Sequence, residues 1–440
     1  MKEKEYMKLT VCASGDLMLL DHFPETYDFS KIGGVIQEND VKITNLESVV
    51  SKWDCFASTY CGGQWINSEP EILKDVEKYG FNFYSCANNH SMDYSYDGLL
   101  STVQELKLRK WLFAGIGKSL DEASAPAYLQ LYEKNIVVAL ISVTSTFIDA
   151  ARAGNGRNGI PARPGINPLR VQTKFLVSQQ HCEQLKKIAE VTCINGERDN
   201  ARKIGSLPPE EPESINFGGN FFVATDGKEG KNTYCNKQDL NRICHEIENA
   251  KLCADYVFIC VHSHQIKRMV YFEPDYFLEE FAHTCIDVGA SAVIGGGTHQ
   301  LKPIEIYKNK PIFYSLGNFV FEDKLVKKLP QDFWDKYHYP NDMVMEEAFD
   351  LKTKNGTIGL QADKNNFLSV IPLMEFDSGD LINIKLVPIE LQFNADKYNK
   401  GLPQIAETED INHIYKQLCK ISKAYGTEFH LGDEVIHIRI

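Results

Sequence analysis

Short apolar runs alternate with amphipathic stretches through the first part of the chain. Residues 8–14 (KLTVCAS) and 40–46 (DVKITNL) predict buried strands, the first ending at Gly15-Asp16 and the second at Glu47. Between 69 and 79 the apolar spacing becomes helical, with Pro70 in the first turn, where a missing N–H costs nothing. FNFYSCA returns to strand and delivers Asn88-Asn89-His90. A helix is expected over 95–110 and strands over 111–116 and 134–143. Strands that alternate with helices point to a layered α/β domain.

Residues 150–235 break this rhythm. ARAGNGRNGIPARPGINPLR is rich in Gly, Pro, Asn and Arg and reads as loop, a helix is expected over about 173–191, and GSLPPEEPES reads as a second loop. The segment is expected to be an insertion near the rim of the site and a substrate-binding lid. The alternation then resumes: helix 238–251, strand 255–261 ending at His262, strand 290–295 ahead of His299, and one strand-like run over 311–321. Beyond 325, strands near 367–373 and 380–391 flank a turn at Asp377–Gly379 and predict a hairpin, followed by a helix over 409–424 and a strand over 434–440. The expected organisation is a catalytic domain over 8–325, with 150–235 inserted, and a C-terminal extension over 326–440 packed on it.

Composition narrows the class of function. A formal charge of -13 over 440 residues argues against a general nucleic-acid or anionic-membrane binder, which needs a basic footprint. The twelve cysteines include no C-x-x-C pair, and several lie in apolar runs, as reduced cysteines of a cytoplasmic protein do. MKEKEYMK lacks the apolar core of a signal peptide, and no apolar run approaches the ~20 residues of a membrane span. A cytoplasmic location is therefore expected. Oligomeric state is not legible.

Candidate chemistry sits where the strands end. Asp16, Glu47, Asn89-His90, His262 and His299 each follow a predicted strand, and functional groups of α/β sheets gather at carboxyl ends of strands. Carboxylate, amide and imidazole donors together suit divalent manganese, zinc or iron. Such a site polarises a carbonyl or phosphoryl group and activates water.

GDLML (15–19), NLES (45–48), ANNHSMDY (87–94), VHSH (261–264), THQLKPIEIY (298–307) and IFYSLGNFVF (312–321) resemble the ordered signature of CapA-type proteins, linked to poly-γ-glutamate capsules. The resemblance spans about 8 to 325, and 380–440 resembles the tail of one branch of the family. It implies a four-layer αββα calcineurin-like metallophosphoesterase fold. By the same resemblance Asp16 and His299 would hold a first metal, Glu47 would bridge, and Asn89 and His262 would hold a second. His90 would protonate or steady the reacting group, oriented by Asp93.

Two departures bear on metal binding. Met18 stands where phosphoesterases carry the histidine of D-x-H, and the usually histidine-rich last motif is Gly295-Gly296-Gly297-Thr298-His299. His264 is a candidate replacement, since residues two apart share one side of an extended segment. Three functions stay open. The first is metal-assisted hydrolysis or transfer on a peptide-like or polyglutamate substrate. The second is metal-independent peptide epimerisation with Asp16 and His299 as the acid/base pair. The third is a non-catalytic subunit of a biosynthetic complex. Asn88, Arg152, Arg157, Arg163 and Arg170 are candidate substrate contacts, the guanidinium groups because they grip carboxylates bidentately. Gly296 and Gly297 would let a substrate backbone approach closely.

Overall fold

The computed structural model describes residues 8–209 and 214–440, so the start of the chain and part of the Pro/Glu-rich loop after 205 lie outside the described residues. Two β-sheets form the centre. The first runs in the order Phe429–Gly432, Val435–Ile438, Asp380–Glu390, Leu368–Asp377, Leu9–Met18, Val41–Leu46, Phe83–Ser85, Leu112–Ala114. The second runs Ile304–Tyr307, Lys310–Phe313, Ala292–Gly297, Tyr256–Ser263, Ile136–Thr144, Ala127–Leu131.

Side-chain alternation stacks them. On Leu9–Met18, Leu9, Val11 and Ala13 join Val138, Leu140, Phe258 and Ile294 of the second sheet in one buried cluster. The intervening Cys12 packs outward with Ile32, Ile36, Leu99 and Val103, from helices Ser30–Gln37 and Ser95–Leu108. On the far side, Ala139, Ile141 and Ile259 meet Ile243, Ile247, Phe277 and Phe281 of helices Lys237–Cys253 and Tyr276–Val288. Helix, sheet, sheet and helix give the expected four-layer αββα arrangement.

Three expectations need correction. The helix expected over 173–191 starts late: Val171–Val177 is a strand, and the helix is Gln179–Thr192, capped by the Ser178 hydroxyl accepting from the His181 amide. VQTKFLV supplies the cross-strand contacts of a small four-stranded sheet, including the stacked pair Phe175–Phe222, so 150–235 is more than loop and helix. The run 311–321 is two strands in two sheets. Lys310–Phe313 belongs to the second, and Asn318–Phe321 pairs parallel with Leu9–Met18 in the first. Gly317, at φ 74°, turns the chain between them.

The last part of the chain is built into the core. Leu368–Asp377 lies directly beside Leu9–Met18, and its hairpin partner Asp380–Glu390 continues the sheet. Helix Thr408–Ile421 inserts Ile414 and Leu418 into the cluster between the sheets. Among the described residues no helix is long and apolar enough to cross a membrane, and all twelve cysteines are free thiols.

Candidate metal centre

Register assembles the site. In the first sheet Asp16 is paired with Asn45 on one side and Asn318 on the other. In the second, His262 stands between Thr144 and Gly296. His262 has the parity of Phe258 and Cys260, so it faces the first sheet. Asp16 would have the wrong parity on a regular strand. A register shift between Ala13 and Asp16 reverses it, since Cys12 and Leu17 both pack against the outer helices. The bulge turns the Asp16 carboxylate into the gap between the sheets. Glycine is required at this crossing, because a Cβ at Gly15 would lie 2.0 Å from the Gly317 carbonyl oxygen.

Asp16 is fully buried and well held. Its Oδ2 accepts from the Gly297 amide at 2.9 Å and its Oδ1 from Asn45 Nδ2 at 2.8 Å, with His262 Nδ1 3.6 Å away. Burial alone would raise its pKa, but His262, His299 and the Gly297 amide outweigh that and hold it below the ordinary carboxylate value. Gly296 makes room: a Cβ there would sit 2.5 Å from Asp16 Oδ1.

Glu47 is also fully buried, yet neither carboxylate oxygen has a hydrogen-bond partner. His262 Nε2 is 3.3 Å from Oε1, and His90 Nε2 is 4.0 Å away. Burial, then the charges of Asp16 and Asp93, push its pKa well above the usual range. An unpaired buried carboxylate costs several kcal/mol unless a cation satisfies it.

The imidazoles converge on the same point. His262 Nε2 and His264 Nε2 are 3.1 Å apart, so the two rings of H-S-H do share one side. Burial, followed by His262, His299, His90 and Lys302, keeps His264 well below the ordinary histidine value. His299 sits at φ 60°, a strained conformation for a residue with a side chain. Its Nδ1 lies 2.9 Å from Asn318 Oδ1, while Asn318 Nδ2 donates to the Asn366 carbonyl at 2.9 Å. That second bond orients the amide, so His299 Nδ1 is the donor and Nε2 keeps its lone pair. Ligand atoms of Glu47, His262 and His264 lie within 4.8 Å of one another, as do those of Asp16, Glu47 and His299. Two overlapping donor sets that share a partnerless carboxylate fit one or two divalent cations.

His90 is placed by a buried network. Its Nδ1 is 2.6 Å from Asp93 Oδ2, and Asp93 also accepts from the Gly62 and Ile66 amides at 3.0 and 2.8 Å. Burial raises the Asp93 pKa despite those bonds. Asn89 Nδ2 donates to the Gly62 carbonyl at 2.8 Å, while its Oδ1 is buried without a partner. Asn88 is committed to structure: Nδ2 donates to Asn45 Oδ1 and the Leu46 carbonyl, and Oδ1 accepts from the His90 amide.

A cavity of about 280 Å³ opens beside the donors, between Asn89 and His264, with Tyr60, Met92, Phe147 and Ile148 among its walls. Its lining contains no arginine. Arg170 is gripped by Asp239 at 2.8 and 2.9 Å. Arg152 pairs with Asp149 at 3.3 Å, Arg163 donates to the Arg152 carbonyl, and Arg157 lies on an exposed turn. Asn45 and Asn318 were missed as functional candidates. Both stand inside the N-L-E-S and S-L-G-N-F segments, but their bonds to Asp16 and His299 appear only when sheet pairing is known.

The family model described as "Bacterial capsule synthesis protein PGA_cap" matches residues 10–323. A Sinorhizobium fredii protein described as uncharacterized protein y4sH is 31% identical over 98% of this chain and 93% of its own length. The capsule biosynthesis protein CapA of Bacillus anthracis is 23% identical over 73% of this chain and 62% of its own. A solved structure described as a novel phosphatase from Mycoplasma pneumoniae aligns over 88% of this chain at 8% identity, with a TM-score of 0.38. Because that family model matches residues 10–323, well over half of its length, this chain belongs to the bacterial capsule synthesis protein PGA_cap family.

Proposed function

We propose that the chain is a metal-assisted hydrolase or transferase acting on a peptide-like or polyglutamate substrate. The observation that carries this reading is Glu47: a fully buried carboxyl group, both oxygens without hydrogen-bond partners, at the meeting point of two histidine-bearing donor sets. Asp16, Glu47, His262, His264 and His299 would hold manganese, zinc or iron, with the Asn89 oxygen turned to the same space. A divalent cation there supplies Lewis-acid polarisation of a substrate carbonyl or phosphoryl oxygen.

The chain's own residues supply the rest. Asp93 accepts from His90 Nδ1 and so directs His90 Nε2 toward the reacting group, where it donates or receives a proton. The Asn318 bond fixes His299 as a neutral donor through Nε2. Tyr60, Met92, Phe147 and Ile148 give one side of the cavity an apolar wall. The related proteins' names point to polyglutamate chemistry: one from Bacillus subtilis is called PGA biosynthesis protein CapA.

Proton transfer at an α-carbon between Asp16 and His299 is the competing chemistry. Their ligand atoms are close enough, but that reaction leaves the partnerless Glu47 carboxylate without a task. The decisive experiment is metal analysis of purified protein together with peptide turnover in wild type, Glu47→Gln and His262→Ala. Stoichiometric metal, and activity abolished by chelator and by both substitutions, supports the proposal. Full activity in chelator, with deuterium appearing at a substrate α-carbon in heavy water, would establish the epimerase instead.

A further inference from the structure

A second cavity, of about 390 Å³, lies between the metal-centre core and the C-terminal part of the chain. Its walls include Glu322, Asp323 and Lys324 from the segment after Asn318–Phe321, and Lys352, Gln361 and Lys400 from beyond the family match. It shares a wall with the metal centre. The Phe321 ring packs 5.4 Å from the His299 ring, and the Glu322 amide donates to the Met18 carbonyl at 3.3 Å.

The inner wall has more cation than it can satisfy. Lys352 Nζ donates to the neutral Gln64 Oε1 at 2.7 Å. Lys400 Nζ stands over the Phe393 ring at 4.2 Å and reaches only the Gln361 carbonyl, at 3.4 Å. Lys324 has no hydrogen-bond or ion-pair partner among the described residues. Burial lowers the pKa of Lys352 and of Lys400, as expected of half-buried ammonium groups short of counter-charge. Asp323 faces them from the inner wall with its Oδ1 already held by Gln361 Nε2, and Glu390 adds a second carboxylate near Lys400. At the rim, Glu346 pairs with Lys397 at 3.4 Å, and Asp350 is exposed.

Two buried atoms on the wall point to a ligand. Glu322 Oε2 accepts from both the Leu20 and Asp21 amides, at 2.7 and 3.2 Å, which leaves Oε1 buried and partnerless. Burial pushes this carboxyl up to about 8. Gln361 is 5% exposed, and its Oε1 is partnerless too. Because Nε2 is held by Asp323, Oε1 is fixed as an acceptor. Ammonium groups suit a carboxylate, the Gln361 amide oxygen suits an N–H, and the Phe349 ring on the same wall suits a methylene stem.

We propose that this cavity is a binding site for a carboxylate-bearing amino-acid residue or short acidic peptide, separate from the metal centre. Lys324, Lys352 and Lys400 take the carboxylate, and Gln361 accepts an amide N–H. The site extends the molecule's contact with an acidic peptide into a part of the chain that the family model does not reach. It does not depend on the reaction proposed above, because occupancy is read without turnover.

The test is isothermal titration of the full chain with tri-L-glutamate and, separately, with inorganic phosphate. Saturable tri-glutamate binding is expected, weakened about tenfold or more in Lys352→Met and in Lys324→Gln. Lys324→Gln guards against misfolding, since that amine has no hydrogen-bond or ion-pair partner among the described residues and the variant should melt as wild type does. Absence of saturable binding up to about 10 mM tri-glutamate, or equal affinity in both lysine variants, overturns the proposal. So does phosphate binding as tight as tri-glutamate with the same lysine dependence, because the Gln361 contact would then have no part.

Discussion

Asn318 does its work through another residue's ring. By accepting from His299 Nδ1 it directs the Nε2 lone pair at the donor cluster, so its loss frees the tautomer rather than removing a ligand. Asn318→Ala is expected to lower metal affinity about 10–100-fold while leaving His299 in place, as read by metal titration of stripped protein. Glu322 sets a pH dependence. Its folded pKa, about 8, stands above the ordinary value of 4.5, so the folded state binds the extra proton. The stability this contributes is complete below the lower value and is lost as pH rises through the higher one. Asp323, raised to about 6 by burial, adds to the same trend. Through these two groups the melting temperature should therefore decline between roughly pH 5 and pH 8 relative to variants that lack them. Glu322→Gln, which keeps an oxygen for the Leu20 and Asp21 amides, should flatten that decline. Equal pH slopes in wild type and Glu322→Gln would contradict the assignment.

At the scale of elements, helix Lys237–Cys253 holds the outer face of the second sheet through Ile243 and Ile247. Its first turn is closed by Asn236 Oδ1, which accepts from the Gln238 and Asp239 amides at 3.1 and 3.3 Å. Asn236→Ala should cost about 1 kcal/mol in urea unfolding, without changing the metal centre. This helix was legible as 238–251 because its apolar positions recur with helical spacing and Asn precedes them. The helix expected over 173–191 was misplaced at its start for the opposite reason. VQTKFLV mixes aromatic, β-branched and polar residues without a decisive period, and its partners at 220–224 and 230–235 are remote in sequence. The division of 311–321 was equally hidden, because the apolar residues on both sides of Gly317 are buried, only in different sheets.

The whole molecule depends on residues past the family match. Leu368–Asp377 pairs with Leu9–Met18, which carries Asp16, and buries Val370, Ile371 and Met374 completely. Truncation after residue 325 would strip that strand's partner and expose the centre of the first sheet. The product is expected to aggregate on size-exclusion chromatography, whereas a merely appended tail could be removed and leave a monodisperse core. Metal should act at this scale as well. Binding to the folded state alone raises the melting temperature with concentration, and Glu47→Gln should abolish that dependence.

What the sequence by itself determined is the order of elements and the polar residues near the carboxyl ends of five central strands: Asp16, Glu47, His90, His262 and His299. Period-two and helical spacing, caps and turn residues are properties of near neighbours along the chain, so they can be read there. Tertiary structure decided which of those residues meet. The bulge before Asp16 turned its carboxylate inward, and cross-strand register set Asn45 and Asn318 beside it. The meeting of 322–324 with 352–400 created the lysine-lined cavity. These contacts join residues far apart in the chain, where side-chain direction depends on the pairing of whole strands and not on local pattern.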